Sequence, residues 1–190
     1  MKKNISFEEY SDYLESISFK ARLYRKYYYF PKLNKHLNGK ILEVGCGIGG
    51  FLEFNKTVEG VDINPELIKI CKNKKLKANL MKIDQLPFED NIYKSVILDN
   101  VLEHIEDPRK LIQEINRVLI LNGIFLISVP GKRGFKHDKD HIHFYNEENL
   151  EKLLSEFGFE KKKCFYTPFK SNFLDNNMRQ YCLHGVFLKK

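Results

Sequence analysis

Two stretches hold residues whose types and spacing could do chemistry. Residues 41–50 read "ILEVGCGIGG", an apolar run carrying Glu43, then four glycines within six residues. Gly45, Gly47 and Gly50 fit G-x-G-x-x-G, where glycines tighten a turn and let backbone approach a nucleoside or its phosphates. "GVDINP" then places Asp62 near the roughly 20-residue spacing at which an acid accepts from ribose hydroxyls. That pattern suits more than one nucleoside cofactor, so Asp62 alone does not choose among them.

The second stretch, "GKRGFKHDKDHIHFYNEENL", carries His137, His141 and His143 with Asp138 and Asp140. His141 and His143 lie two apart and share a face if the segment is extended. Imidazole titrates near neutral pH and is the natural base for a hydroxyl or amine. Three roles are open for the pair: substrate contact or general base, hydrogen bonds that pin the loop, and metal ligation. The spacing matches no familiar metal pattern, and no metal is assigned. As catalytic candidates His143 comes ahead of His141, because it adjoins Phe144 and Tyr145, which could wall an acceptor pocket. His104 in "LEHIEDP" either supports the structure or lines that pocket, and is placed with Tyr145 on the substrate side.

The elements that must position these residues follow from periodicity. Residues 6–37 carry Phe7, Tyr10, Tyr13, Leu14, Ile17, Leu23, Tyr27 and Phe30 at three- and four-residue steps, which predicts one or two amphipathic helices broken or kinked by Pro31. "RLYRKYYYF" could fold over a ligand as a lid, with Arg22 or Arg25 meeting a carboxylate; an aromatic stripe with solvated cations is the plainer reading. Strands are expected at "KILEV", "TVEGVDI", "LKANLMKID", "YKSVILDN" and "NGIFLISVP", the last after a helix ended by Asn122-Gly123. Helices are expected near "GGFLEF", at "NPELIKICKN" with Asn64 as cap, at "DPRKLIQEINRVL" with Asp107 as cap, and at "NEENLEKLLSEFG". "FEKKKCFYTPF" and "YCLHGVFLKK" close the chain as two strands with no helical pattern between them. Alternation followed by two successive strands implies an α/β, Rossmann-like fold: a mostly parallel sheet with a terminal antiparallel strand and helices on both faces.

The chain has 190 residues, 43% hydrophobic and 13% aromatic, which suits one packed domain: residues 1–37 as a helical lid and 38–190 as the core. The net charge of +7 comes from dispersed lysines, which describes a solvated surface better than a concentrated nucleic-acid footprint. Cys46, Cys71, Cys164 and Cys182 form no C-x-x-C or zinc spacing, so reduced thiols and a cytoplasmic location are expected. No run approaches the roughly 18 apolar residues of a membrane span.

The motifs together resemble the class I S-adenosylmethionine-dependent methyltransferases. "ILEVGCGIGG" is similar to their first motif and "GVDINPELIKICK" to their ribose motif. "MKIDQLPFEDNIYKSVILDNVLEHIEDPRKLIQEINRVLILNGIFLISVP" is similar to the stretch that follows, and the resemblance covers roughly residues 38–160. It implies S-adenosylmethionine as cofactor, with Gly45, Cys46, Gly47 and Gly49 wrapping the methionine part and ribose. It also implies Asp62 on the ribose hydroxyls, Ile63 on the adenine, Asp84 on the adenine amino group with Gln85 beside it, and Asp99 and Asn100 facing the methionyl part and methyl. Glu43 would support the turn and favour a cationic ligand. "DNVL" after the fourth strand is not the N/D-P-P-Y that positions an exocyclic base amine, and no cysteine follows a proline as in enzymes attacking pyrimidine C6. A small-molecule or carrier-linked acceptor (glycan, lipid or quinone), methylated at oxygen, is therefore expected. An RNA- or tRNA-modifying enzyme and a non-catalytic cofactor-binding module are the alternatives; a nucleic-acid partner is disfavoured, and the oligomeric state is left open.

Overall fold

Seven apolar, β-branched segments become the strands β1 (Ile41–Val44), β2 (Glu59–Asp62), β3 (Ala78–Leu80), β4 (Tyr93–Asp99), β5 (Leu119–Pro130), β6 (Phe159–Thr167) and β7 (Cys182–Lys189). In the computed structural model, which describes residues 6–16 and 18–190, they form one sheet in the order β3-β2-β1-β4-β5-β7-β6. β1 to β5 pair in parallel, and β7 lies antiparallel between β5 and β6. The expected Rossmann-like architecture with one antiparallel strand is what forms. Loops following β1, β2, β3 and β4 consequently meet at one end, the end where such sheets hold ligands.

Helices cover both faces: α4 (Gly50–Phe54), α5 (Pro65–Asn73), α6 (Arg109–Val118) and α8 (Glu147–Ser155), with α1 (Phe7–Glu15), α2 (Phe19–Tyr24) and α3 (Phe30–Asn34) at the N-terminus. Side chains alternate across the strands, so Leu42 and Val44 of β1 join the apolar cluster of Leu111, Ile112, Ile115, Leu150 and Leu154. Ile41 joins the opposite one with Phe30, Phe51, Ile68 and Cys71. All four cysteines are free thiols. Among the described residues no helix is long and apolar enough to cross a membrane.

Four local expectations are corrected. Pro31 neither breaks nor ends its helix. A π-helical turn over Arg25–Tyr29 joins α2 to α3, with the Phe30 N–H donating to the Arg25 carbonyl, and the widened turn accommodates a residue with no N–H to give. Helix α6 stops at Val118, and Asn122-Gly123 lie inside β5, where Asn122 takes φ 56°. The histidine loop begins with α7 (Lys132–His137), and α9 (Asn172–Asn177), capped by Ser171, intervenes between the last two strands. Tyr10, Tyr13 and Ile17 of the expected N-terminal stripe lie outside the described side chains.

His184 sits at 0% exposure under this ligand end of the sheet. Its Nδ1 is 2.8 Å from Ser128 Oγ, its Nε2 is 2.9 Å from Thr167 Oγ1, and its ring stacks on Phe165 at 4.6 Å. Burial pushes the imidazole down to about 3 from its usual 6.5. Between those values the unfolded chain binds a proton that the folded one refuses, so this contribution to stability is present above 6.5 and is lost as pH falls through 3. His36, pushed down to about 4 by burial and by Lys163 and Lys35, acts in the same direction. Thermal unfolding followed by circular dichroism should show the melting temperature falling with pH below 6.5. His184→Gln should reduce that slope, and an unchanged slope in a folded variant would contradict the assignment.

Candidate functional site

The glycine turn folds back onto β2. Gly45 N and Cys46 N both donate to the Val61 carbonyl (2.8 and 3.0 Å), and Gly49 N donates to Cys46 O (2.9 Å). Gly45 has φ 74°, and a Cβ there would collide with Val101, so this position requires glycine. Asp62 is 8% exposed. Its Oδ2 accepts from Gly47 N and its Oδ1 from Asn64 N, both at 2.9 Å. Burial raises the Asp62 carboxyl above the usual range, while the backbone N–H groups of Asn64 and Gly47 pull it back. Asn64 caps α5 and donates from Nδ2 to the Phe7 carbonyl (3.0 Å), which ties α1 to this turn. Leu14 of α1 lies 3.5 Å from the position a Gly47 Cβ would take.

Ile63, next along, is 42% exposed. Asp84, half-buried, takes φ 55° in the loop after β3, and Gln85 beside it is exposed. That loop reaches the glycine turn's neighbourhood because Met81 N donates to the Asp62 carbonyl (3.0 Å). Arg117 pins the loop's far half, donating to Leu86 O, Phe88 O and Asp90 at 3.1, 2.7 and 2.7 Å, with Glu114 accepting from Leu86 N at 2.8 Å. Neither Arg117 nor Glu114 stands out in the sequence except as an i,i+3 pair on α6.

A second set of groups gathers where β1 and β4 end. Glu43 is buried, and its Oε2 has no hydrogen-bond partner. Burial and the nearby Asp99 carboxylate hold Glu43 well above the usual carboxylate range, against the pull of Arg25. Tyr29 Oη donates to Asp99 Oδ1 (2.5 Å), Asn100 Nδ2 donates to the same oxygen (3.0 Å), and Arg25 Nη2 stands 3.6 Å from Asp99 Oδ2. Asn100 itself has φ 53°. Arg25, half-buried, thus reaches the site at Asp99, whereas Arg22 is exposed. Tyr29 is a site residue that the sequence hides inside an aromatic run.

A third set follows β4 directly. The 3-10 turn Leu102–His104 brings Glu103 and His104 against His141. The rings of His104 and His141 meet edge to face at 4.7 Å. His141 Nδ1 lies 3.0 Å from the Phe135 carbonyl, and its Nε2 is 3.8 Å from Glu103 Oε1. Glu103 is 1% exposed with both carboxylate oxygens unpartnered, and burial pushes its carboxyl up to about 8. Burial also lowers the His104 imidazole, as does His141. Tyr145 is buried and raised to about 12 by burial and by Glu103. His143 falls outside this cluster: it is exposed and its Nε2 lies 3.0 Å from the Glu106 carbonyl. Glu103, inside the quoted "LEHIEDP", has no surface pattern to mark it; only its burial does.

A family model described as a methyltransferase domain matches residues 19–163. The chain belongs to the class I S-adenosylmethionine-dependent methyltransferases. An uncharacterised protein of Methanocaldococcus jannaschii is 33% identical to it over 151 residues, 73% of each chain. A protein of Mycolicibacterium smegmatis named a probable S-adenosylmethionine-dependent methyltransferase is 27% identical over 132 residues, spanning 63% of this chain and 51% of that one. Among solved structures, a Thermotoga maritima methyltransferase described as a possible histamine N-methyltransferase superposes with a TM-score of 0.79. The two are 18% identical, covering 97% and 98% of the chains, which shows a shared fold.

The methyltransferase's own residues fit S-adenosylmethionine. A buried, unpartnered Glu43 oxygen suits a cationic ligand, the Gly45 backbone admits no side chain that would fill the turn, and exposed Ile63 offers an apolar face beside Asp62. Because Asp62 also organises the turn, Asp62→Ala should lower S-adenosylhomocysteine affinity by about 2–4 kcal/mol, roughly 30- to 900-fold, and lower the melting temperature with it. Calorimetry and thermal melts check both. Unchanged affinity in the folded variant would exclude Asp62 from the cofactor site.

Proposed function

We propose that the methyltransferase acts on an oxygen of a small-molecule or carrier-linked acceptor, such as a glycan, lipid or quinone, and that Glu103, His104 and His141 face that oxygen. S-adenosylmethionine, when bound, supplies a methyl group already activated on a sulfonium. Asp62 takes the ribose hydroxyls, Ile63 and Asp84 with Gln85 flank the adenine, and Glu43, Asp99 and Asn100 attend the methionyl part beside Gly45, Cys46, Gly47 and Gly49. The N-terminal helices cover the pocket through the Phe7–Asn64 and Tyr29–Asp99 hydrogen bonds, as the lid of a single domain.

The observation that carries the acceptor assignment is the oriented His141 ring. Its Nδ1 is held by the Phe135 carbonyl, and its side chain is 8% exposed. Nδ1 therefore carries the proton, and Nε2 presents a lone pair toward Glu103 in the segment that directly follows Asp99 and Asn100. A lone pair fixed there suits removal or steering of a hydroxyl proton. His143, exposed and bonded to the Glu106 carbonyl, is assigned to holding the loop. Tyr145 walls the cluster from the protein interior.

With a radiolabelled methyl donor and cell extracts, label is expected in a methyl ether of an extractable small molecule or carrier. Label in RNA, or in an amine, would overturn the oxygen assignment. With the acceptor in hand, His141→Ala should lower turnover by about 10²–10⁴-fold while S-adenosylhomocysteine affinity is kept. Wild-type turnover in that variant would remove His141 from acceptor activation.

A further inference from the structure

We propose that Glu103, His104 and His141 form the binding site of a divalent transition-metal ion that holds the acceptor oxygen. The inference rests on the acceptor reading above, and extends it from a bare imidazole to a coordinated ion.

The donor atoms of the three side chains all lie within 4.8 Å of one another. Ligand atoms about 2.1 Å from a tetrahedral ion stand about 3.4 Å apart, so closure by at most about 1.4 Å would complete the site. The independent observation is Glu103. It is 1% exposed, and neither carboxylate oxygen meets a donor. Buried carboxyls are hydrogen-bonded, bound to metal or held neutral; no hydrogen bond reaches this one, and a bound ion would take the place of its proton.

What faces Glu103 is another electron-pair donor. In the neutral ring, a proton on Nδ1 shared with the Phe135 carbonyl leaves the His141 Nε2 lone pair facing Glu103 Oε1 at 3.8 Å and Asp138 Oδ2 at 3.9 Å. Electron-pair donors facing one another at this distance leave room for a cation, and a third donor within reach suits a metal ion better than a proton. A ring N–H bonded to a backbone carbonyl is also how proteins orient a metal-ligating histidine. His104 closes the third side, with its ring edge to face against that of His141 at 4.7 Å. Asp138, at the edge, is available as an additional ligand.

Two imidazoles and a carboxylate select the manganese, iron, cobalt and zinc ions over magnesium or calcium, which prefer all-oxygen shells. Three protein ligands leave coordination positions for an oxygen of the acceptor. The ion's place, one short turn beyond Asp99 and Asn100, puts that oxygen on the proposed methyl-donor side.

Chelator-treated full-length protein is titrated with Zn²⁺, Mn²⁺ and Mg²⁺ by calorimetry, without cofactor. One Zn²⁺ or Mn²⁺ per chain is expected, with Mg²⁺ at least tenfold weaker. Glu103→Gln and His141→Ala should each weaken binding at least tenfold, while His137→Ala, in the same loop, should not. S-adenosylhomocysteine binding by the variants reports that they are folded. Should they fail to fold, the wild type loaded with Co²⁺ decides: visible ligand-field absorption with nitrogen hyperfine coupling is expected. No saturable binding, binding that survives both substitutions, or a Co²⁺ complex without nitrogen ligation would overturn the site. Stoichiometric metal binding with a labelled product that is not a methyl ether would instead overturn the acceptor reading and leave the metal site standing.

Discussion

Glu43 and Asp99, near the ends of the neighbouring parallel strands β1 and β4, are carboxyl groups with buried side chains, and Asp99 raises the cost of ionising Glu43. Parallel strands deliver their carboxyl ends to the same side of the sheet, and here β2 and β4 end in Asp62 and Asp99 while β1 carries Glu43 one residue before its end. Arg25 and Tyr29 answer Asp99, but one oxygen of Glu43 is left without a partner. Much of the surrounding architecture serves that imbalance. The π-turn carries Arg25 and Tyr29 to the strand ends, and His184 packs its ring 5.5 Å from Tyr29 while tying β5, β6 and β7 together. A ligand with a positive charge meets an interior already short of one.

The chemistry of the fold divides along the chain. The halves after β1, β2 and β3 present backbone N–H groups, one buried acid and an exposed apolar side chain, which is equipment for a nucleoside. The segments after β4 and α7 present carboxylate and imidazole, the groups proposed above to hold or activate an acceptor. Asp99 and Asn100 lie at the junction, so on that proposal donor and acceptor functions share a boundary of a few residues.

The mostly parallel sheet with its antiparallel strand, the glycine turn and the capping of α5 are legible in the sequence: strand and helix segments alternate, glycine is free to take φ 74°, and Asn64 precedes Pro65. Misreadings arose where tertiary context overrides local signals. Asn122-Gly123 reads as a helix end, yet pairing with β4 and β7 draws the chain into a strand from Leu119 onward. Pro31 reads as a break, yet the π-turn absorbs it. In the site, the pairing of His141 with His143 by spacing gave way to a partnership with Glu103 and His104 from another loop. Sequence spacing reports neighbours along the chain; Glu103 and His141 are brought together by the Ile142 N–H donating to the Glu103 carbonyl at 2.7 Å.

We propose that the unpartnered Glu43 oxygen selects a cationic nucleoside ligand at the end of β1. Titration calorimetry of S-adenosylmethionine into wild type and Glu43→Gln, with NAD as competitor, tests it most directly. The account predicts one-to-one binding to the wild type of micromolar order, about −8 kcal/mol, at least tenfold weaker binding to the folded variant, and no competition by NAD. Equal affinity in the two proteins, or displacement by NAD, would contradict it.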